Sequence, residues 1–233
     1  MTDGFRERGA APTRLEAFVD AAFAFAVTLL IISVGTMPDS IDGLLAALRG
    51  VPAFAASFAI LAWVWRGHAN WSLRFGLDDA LSSALALVLV FLVLVFVYPL
   101  RMLFASAFHA LSGGALPAGV AVRDLSDLQW LYWVYAGAFG LLGGVLLLLY
   151  VHAWRQREHL ELDHEERVRT RVLIASWAWV PAVALLSALL AGMLPLSDRP
   201  SFVYGLPGMS YCLLGLQWPV LVAYERRLRA RAS

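Results

Sequence analysis

Long apolar stretches alternate with short polar segments along the whole chain. Six stretches reach the length of about 20 residues that an α-helix needs to cross the hydrocarbon core of a bilayer. None alternates apolar and polar positions as a transmembrane β-strand does. The pattern therefore predicts an all-α polytopic membrane protein, with a single transmembrane domain over residues 1–233 and spans at 15–36, 44–65, 80–100, 128–154, 172–194 and 202–224.

Composition agrees with a lipid environment, because 61% of the 233 residues are hydrophobic and only 15% are charged. The first apolar stretch lacks a small-residue cleavage site and is too long for a signal-peptide core, so we expect it to remain as a span. With one cysteine, the chain forms no internal disulfide and no cysteine metal cluster. We expect no metal site and no cofactor.

The basic residues predict the orientation of the chain. All eighteen are arginines, and they cluster between the apolar stretches. If the N-terminus is cytoplasmic, only four arginines lie on the outer side, and cytoplasmic flanks are known to collect positive charge. We therefore expect both termini in the cytoplasm, as an even number of spans requires, and no nucleic-acid partner. The four outer arginines are Arg49, Arg101, Arg123 and Arg199.

The first span carries an ionisable residue, which is costly inside a membrane and usually faces protein. At about 100° per residue, Asp20 lies roughly opposite an apolar stripe of the same helix. The carboxylate and the stripe are thus predicted to meet different neighbours. The stripe consists of Phe18, Ala21, Phe25, Leu29 and Ile32.

Other polar residues are predicted on the same membrane side as Asp20. His68 follows the second span, and Asp78 precedes the third. A carboxylate, an arginine and an imidazole can form a closed hydrogen-bond network that locks the first three helices together. Ordinary anchoring of helix ends is the simpler alternative, and the residues alone leave both open.

The same residues resemble a known signature. The run Arg14-x-x-x-Phe18-Val19-Asp20 is similar to the Arg-x-x-x-Phe-Ser-Asp motif of the transmembrane protein 175 potassium channels, particularly their prokaryotic members. Trp65-x-x-His68 resembles the matching element of that family's second helix. The resemblance implies a potassium-permeable homotetramer in a cell membrane, with the first helices lining a central pore. It also implies a structural clasp at Arg14, Phe18, Asp20, Trp65 and His68.

The resemblance further implies which residues line the pore. The narrowest apolar ring falls at Phe25, followed by Leu29 and Ile32, and Thr28 takes the position of a hydroxyl layer implicated in cation preference. Phe25 stands where an aliphatic residue is usual, so four phenyl rings either block the pore or form a gate. Val19 replaces the signature serine, which removes a hydroxyl from the clasp. The simpler role for Thr28 is a hydrogen bond to its own helix carbonyl.

Two further classes of protein are alternatives. A proton-coupled transporter would use Asp20 and His68 as protonatable groups, but the sequence lacks matching halves with broken, glycine-interrupted helices. A membrane enzyme would need a metal cluster, a nucleophile elbow or paired carboxylates within a span, and the sequence contains none of these. We therefore expect the chain not to be an enzyme.

Two connecting segments complete the prediction. Residues 102–127 form the largest external loop, and the charged segment 155–171 is predicted to be a solvated cytoplasmic helix extension. In the fourth span, Gly137, Gly140, Gly143 and Gly144 are predicted to form a face for close helix packing.

Overall fold

A computed structural model of the chain describes residues 5–9, 11–32, 38–194 and 201–230. Within these ranges the only regular elements are helices, as predicted. Residues 33–36 of the first predicted span lie outside the described residues. The α-helices are α1 (Arg14–Ile32), α2 (Ile41–Leu48), α3 (Val51–Phe75), α4 (Ala80–Leu111), α5 (Leu125–Arg155), α6 (His164–Gly192), α7 (Leu206–Met209) and α8 (Gln217–Ala230).

The described helices provide five candidate spans, and six if α2 and α3 together form one. Helices α1, α4, α5 and α6 and the segment Val203–Ala230 are each long and apolar enough to cross a membrane, and α2 and α3 meet the same criteria as a pair bent by 42°. The bend falls at Arg49 and Gly50, and Pro52 begins the second part. Proline is well tolerated there because the first helical N–H groups have no intrahelical partner. The fold is thus the predicted all-α polytopic membrane fold.

Several helices extend beyond the predicted spans. Helix α4 continues to Leu111, so the α4–α5 loop covers 112–124, whereas the predicted external loop was 102–127. Helix α6 begins at His164, because Asp163 and Glu166 form a reciprocal capping box at its start. The hydrocarbon thickness sets the shortest span, but a helix can continue into the interface when its polar ends are capped.

The last span is not one regular helix. Two 3₁₀ segments, Ser201–Gly205 and Ser210–Leu216, flank the four-residue helix α7. Gly205, Pro207 and Gly208 lie in this region, and both residue types disfavour continuous α-helix. Helix α8 is tied to α6 where Gln217 Nε2 donates to the Ser176 carbonyl at 2.6 Å.

Helices α3, α5 and α6 pack closely through small residues. The Gly67 backbone lies against the Trp177 ring, and a Cβ added at Gly143 would be 2.6 Å from Val180. Gly143 therefore belongs to a close packing face, as predicted, whereas Cβ atoms at Gly137 and Gly144 would meet nothing within 4 Å. Small residues let backbones approach where lipid supplies no hydrophobic driving force between helices.

Candidate functional site

Helix α1 is held against α3 and α4 by one edge. Val19, Phe23, Ala26 and Leu30 are spaced four, three and four residues apart, so they share a single line along the helix, and all are buried. Leu30 is 1% exposed. This edge includes two small residues, Val19 and Ala26, and does not coincide with the predicted aromatic and aliphatic stripe.

The predicted stripe is mostly uncovered in the single chain. Phe25 is 55% exposed and Ile32 is 62% exposed, while Leu29 is half-buried. Phe18 and Ala21 are exposed too. The stripe lies roughly 130° around the helix from the buried edge. An exposed row of large apolar side chains beside a packed edge is suited to contact lipid, another subunit or a pore.

Thr28 lies beside this stripe and is also exposed. Its hydroxyl donates to the Ala24 carbonyl at 3.1 Å, which is the hydrogen bond to its own helix that the sequence offered as the simpler role. The hydroxyl oxygen still has lone pairs to accept from a second group, because donating uses only its hydrogen. Back-bonding is therefore compatible with a cation-facing oxygen.

The structure brings two of the five clasp residues together. Trp65 Nε1 donates to Asp20 Oδ1 at 2.7 Å, which ties α1 to α3. The Asp20 carboxylate thus turns toward α3 and away from the apolar stripe, as the helical geometry predicted. Hydrogen bonds to an ionised acceptor are roughly twice as strong as neutral ones.

The other three predicted clasp residues do not take part in this bond. His68 is buried beside Trp71, and its Nε2 has no hydrogen-bond partner among the described residues. Arg14 begins α1 and is exposed, as is Phe18 one turn later. Within the part of the chain that the structure describes, Asp20 makes neither an ion pair with Arg14 nor a hydrogen bond with His68.

A different charged cluster anchors the segment before α1. Arg8 Nη2 and Nη1 donate to the two carboxylate oxygens of Glu166 at 2.7 and 3.0 Å, and Arg8 Nε donates to the Leu160 carbonyl at 2.9 Å. The Arg6 backbone N–H also donates to Glu166 at 2.9 Å. Glu166 is 1% exposed, so this is a buried, fork-shaped ion pair. We call Arg8 and Glu166 the N-terminal clip.

The N-terminal clip corrects the interpretation of residues 155–171 as a solvated extension. Leu162, Glu166, Val168 and Thr170 are all buried. The segment contains both the α5–α6 turn and the first turns of α6, and the residues before α1 cover it. Phe5 adds an edge-on contact with Phe75 at 5.5 Å between ring centroids.

A second polar contact joins α4 and α5 at the same end of the bundle. Asp79 caps α4 by accepting from the Ser82 N–H at 2.8 Å, and its other oxygen lies 2.6 Å from His152 Nε2. Burial acts to raise the pKa of Asp79, but the hydrogen bonds from His152 and Ser82 outweigh it and lower that pKa. Asp78, which the sequence predicts on the same membrane side as Asp20, is exposed.

These features define a class of protein: a six-span helical membrane protein whose first helix is buried along one edge and uncovered along an apolar stripe. Residues 14–99, which contain α1, α2, α3 and part of α4, match the family described as endosomal/lysosomal potassium channel TMEM175. A potassium channel of Marivirga tractuosa is 32% identical over an alignment of 235 positions, which covers 97% of this chain and 91% of that protein. The chain belongs to the TMEM175 potassium channel family, and its relatives are channels, not enzymes.

Solved structures agree with this membership. A variant of the potassium channel MtTMEM175, crystallised with a nanobody–MBP fusion protein, is similar with a TM-score of 0.83 and 28% identity over 99% of both chains. A homologue, from Chamaesiphon minutus, of the lysosomal potassium-selective channel TMEM175 is similar with a TM-score of 0.53 and 20% identity over 92% of this chain and 96% of that one. The second likeness concerns the fold alone.

Proposed function

We propose that this chain forms a potassium-permeable homotetrameric channel in which four copies of α1 surround a central path. The observation that carries the proposal is the contrast within α1 between a buried edge and an exposed apolar stripe. A helix that packs by one edge leaves the stripe available to face a shared axis. Membership of a potassium channel family supports potassium as the permeant ion.

In this proposal Phe25 forms the narrowest layer, with Leu29 and Ile32 further along the path. An apolar constriction excludes a partly dehydrated cation because it offers no oxygen in place of lost water, so such a ring gates by dewetting. Four phenyl rings are wide enough to close a path and can open it by changing rotamer. A modest widening of the ring would therefore switch conduction on.

Thr28 supplies the polar layer of the proposed path. Its hydroxyl is exposed and back-bonded to Ala24, which fixes the direction of its free lone pairs. Four such oxygens, repeated by symmetry, would form a weak ring of ligands for a cation. We expect modest discrimination between potassium and sodium, because one hydroxyl layer replaces only part of a hydration shell.

The proposed clasp keeps the stripe on the axis. The Asp20–Trp65 hydrogen bond supports this role because it fixes the rotation of α1 relative to α3. Arg14 and Phe18, exposed on the same helix, are available to a neighbouring subunit, and His68 fills the interior behind Trp65. The clasp residues thus act on conduction by positioning α1 rather than by binding the ion.

We also propose that both termini face the cytoplasm of a prokaryotic cell and that the channel resides in its plasma membrane. The arginine distribution supports this orientation, because it leaves only four of eighteen arginines on the outer side.

Ion flux tests the proposal. The protein is reconstituted in liposomes, and potassium efflux down an imposed gradient is compared with efflux from protein-free liposomes. Phe25→Ala is expected to raise the flux at least tenfold. Phe91→Ala is the matched control, because Phe91 is equally exposed but lies on α4, and we expect it to leave the flux unchanged. Absence of flux in both the native protein and Phe25→Ala would contradict a conducting pore.

Disulfide trapping tests the tetrameric axis. Cys212 is the one cysteine of the chain, so Cys212→Ser gives a background in which a single new thiol reports its own position. Ile32→Cys in that background is expected to form disulfide-linked dimers on mild oxidation, whereas Phe91→Cys is not. The opposite pattern would place α4 rather than α1 at the axis.

The proton-coupled transporter has less support, because the relatives are potassium channels and Asp20 is engaged by Trp65. Asp20→Asn separates the two functions. A transporter would lose proton-coupled uptake with its binding of substrate intact, whereas a channel would show altered passive flux with no dependence on a proton gradient.

A further inference from the structure

A cavity of about 430 Å³ lies away from the proposed pore, between the α2–α3 junction, α4 and the α4–α5 loop. Its size is typical of sites for small organic ligands. Most of its wall is apolar. The polar lining residues are Arg49, Arg101 and Tyr98, and the apolar ones include Ala53, Met102, Ala105, Phe108 and Leu116.

The wall formed by the α4–α5 loop is preorganised by hydrogen bonds. His109 Nδ1 lies 2.7 Å from the Leu116 carbonyl, and the Leu116 N–H donates to Ser112 Oγ at 3.0 Å. Gly119 allows the loop to lie directly on α4, because a Cβ at that position would collide with the Met102 carbonyl. The loop thus closes the cavity without needing a ligand to shape it.

Two arginines line this cavity. Arg49 caps the end of α2, and Arg101 reaches across from α4 until its Nη2 is 3.7 Å from a Cβ built at Gly50, the next residue after Arg49. Arginine is suited to phosphate, because its planar fork donates two parallel hydrogen bonds to phosphate oxygens.

The position of Arg101 along α4 places the charges at a membrane interface. Arg101 is twenty-one residues beyond Ala80, the first residue of α4, so the rise per residue puts it about 30 Å along the helix. That distance matches the thickness of the hydrocarbon core. The cavity therefore lies at the depth of lipid headgroups, on the side of the membrane opposite the N-terminus of α4, and its apolar wall continues toward the acyl chains.

We propose that this cavity binds the phosphate of an anionic phospholipid, held between Arg49 and Arg101, with an acyl chain along Met102 and Phe108. The charge and the fork geometry select phosphate, and the apolar wall selects a phosphate that carries a lipid tail. The site is independent of the proposed pore, because it depends only on α4 crossing the membrane and not on conduction through α1.

Thermal stabilisation by added lipid tests this site. The protein is purified in uncharged detergent and titrated with dioctanoyl phosphatidylglycerol, dioctanoyl phosphatidylcholine or inorganic phosphate. We expect a saturable rise in Tm with phosphatidylglycerol, a much smaller rise with phosphatidylcholine and none with inorganic phosphate, since binding to the folded state alone raises the melting temperature. Equal shifts from phosphatidylglycerol and phosphatidylcholine, or from inorganic phosphate, would overturn the assignment to an anionic lipid.

Variants locate the binding. Arg49→Gln and Arg101→Gln are each expected to weaken the apparent Kd for phosphatidylglycerol about tenfold, because each removes charge-assisted hydrogen bonds to one phosphate. Arg49 is exposed, so Arg49→Gln keeps the test valid if Arg101→Gln fails to fold. Arg123→Gln is the matched control, an exposed arginine of the same α4–α5 loop outside the cavity. A Kd that is unchanged in Arg49→Gln, or weakened equally in Arg123→Gln, would overturn the proposal.

Discussion

The two edges of α1 both carry large apolar side chains but differ in what covers them. Phe23 and Leu30 are buried against α3 and α4, whereas Phe25 and Ile32 are more than half exposed in the single chain. Packing inside a membrane is driven by contact between helices rather than by escape from water. Apolar character alone therefore does not identify the packed edge of a membrane helix, and the uncovered edge is the one available for function.

The largest loss of stability is expected at the ion pair between Arg8 and Glu166, which anchors the segment before α1. Glu166→Gln removes the charge that Arg8 pairs with, and loss of one partner of a buried ion pair costs about 3 kcal/mol. We expect the free energy of unfolding, measured by denaturation in mixed detergent micelles, to fall by that amount. Glu165→Gln is the control, because the neighbouring carboxylate is half exposed. Equal losses in both variants would show that the N-terminal clip contributes nothing specific.

The second largest loss of stability is expected at the buried edge of α1. Leu30→Ala is expected to lower the free energy of unfolding by about 2 kcal/mol, because it leaves a cavity where α1 meets α3 and α4. The adjacent Ile31 is exposed, so Ile31→Ala in the same assay should have less than half that effect. Comparable losses at both positions would mean that α1 is covered on both sides.

A smaller loss of stability is expected when the hydrogen bond between Asp20 and Trp65, two of the predicted clasp residues, is removed. Trp65→Phe keeps most of the ring and removes the hydrogen bond to Asp20, which is worth about 1 kcal/mol. Trp130→Phe serves as the control at an exposed tryptophan. If Trp65→Phe leaves stability unchanged but alters potassium flux, the bond sets the rotation of α1 without stabilising it. If it changes neither, the bond is not part of a clasp.

The smallest change in stability is expected on the exposed stripe. Phe25→Ala removes a large side chain that touches little in the protomer, so the free energy of unfolding should change by less than about 0.5 kcal/mol. Within α1, we thus expect Leu30→Ala to lower stability and Phe25→Ala to change the potassium flux. A loss of 2 kcal/mol or more in Phe25→Ala would place this ring in a packed interface.

Sequence patterns predicted the helices well because a long apolar run is a local signal. They also separated Asp20 from the stripe of Phe25 and Ile32, since that separation follows from helical geometry alone. The buried edge was not indicated, because Val19 and Ala26 are small and do not stand out beside aromatic neighbours.

Contacts between distant parts of the chain that the family signature does not include were beyond the sequence. Arg8 and Glu166 are 158 residues apart, and no periodicity connects them. The one local signal was the spacing of Asp163 and Glu166, which is that of a capping box and indicates where α6 begins. The pairing of Asp79 with His152 was missed for the same reason, although an aspartate before an apolar helix is a typical cap.

The N-terminal clip has a mechanical consequence for α1. Arg8 is fastened to the base of α6, and the Gly9 N–H donates to the Leu73 carbonyl near the end of α3 at 3.0 Å. Only five residues separate Arg8 from Arg14, so the leash between anchor and helix spans at most about 20 Å when fully extended. Helix α1 is consequently tethered at its start. A displacement of α1 that exceeds the slack of this short linker would pull on α3 and α6.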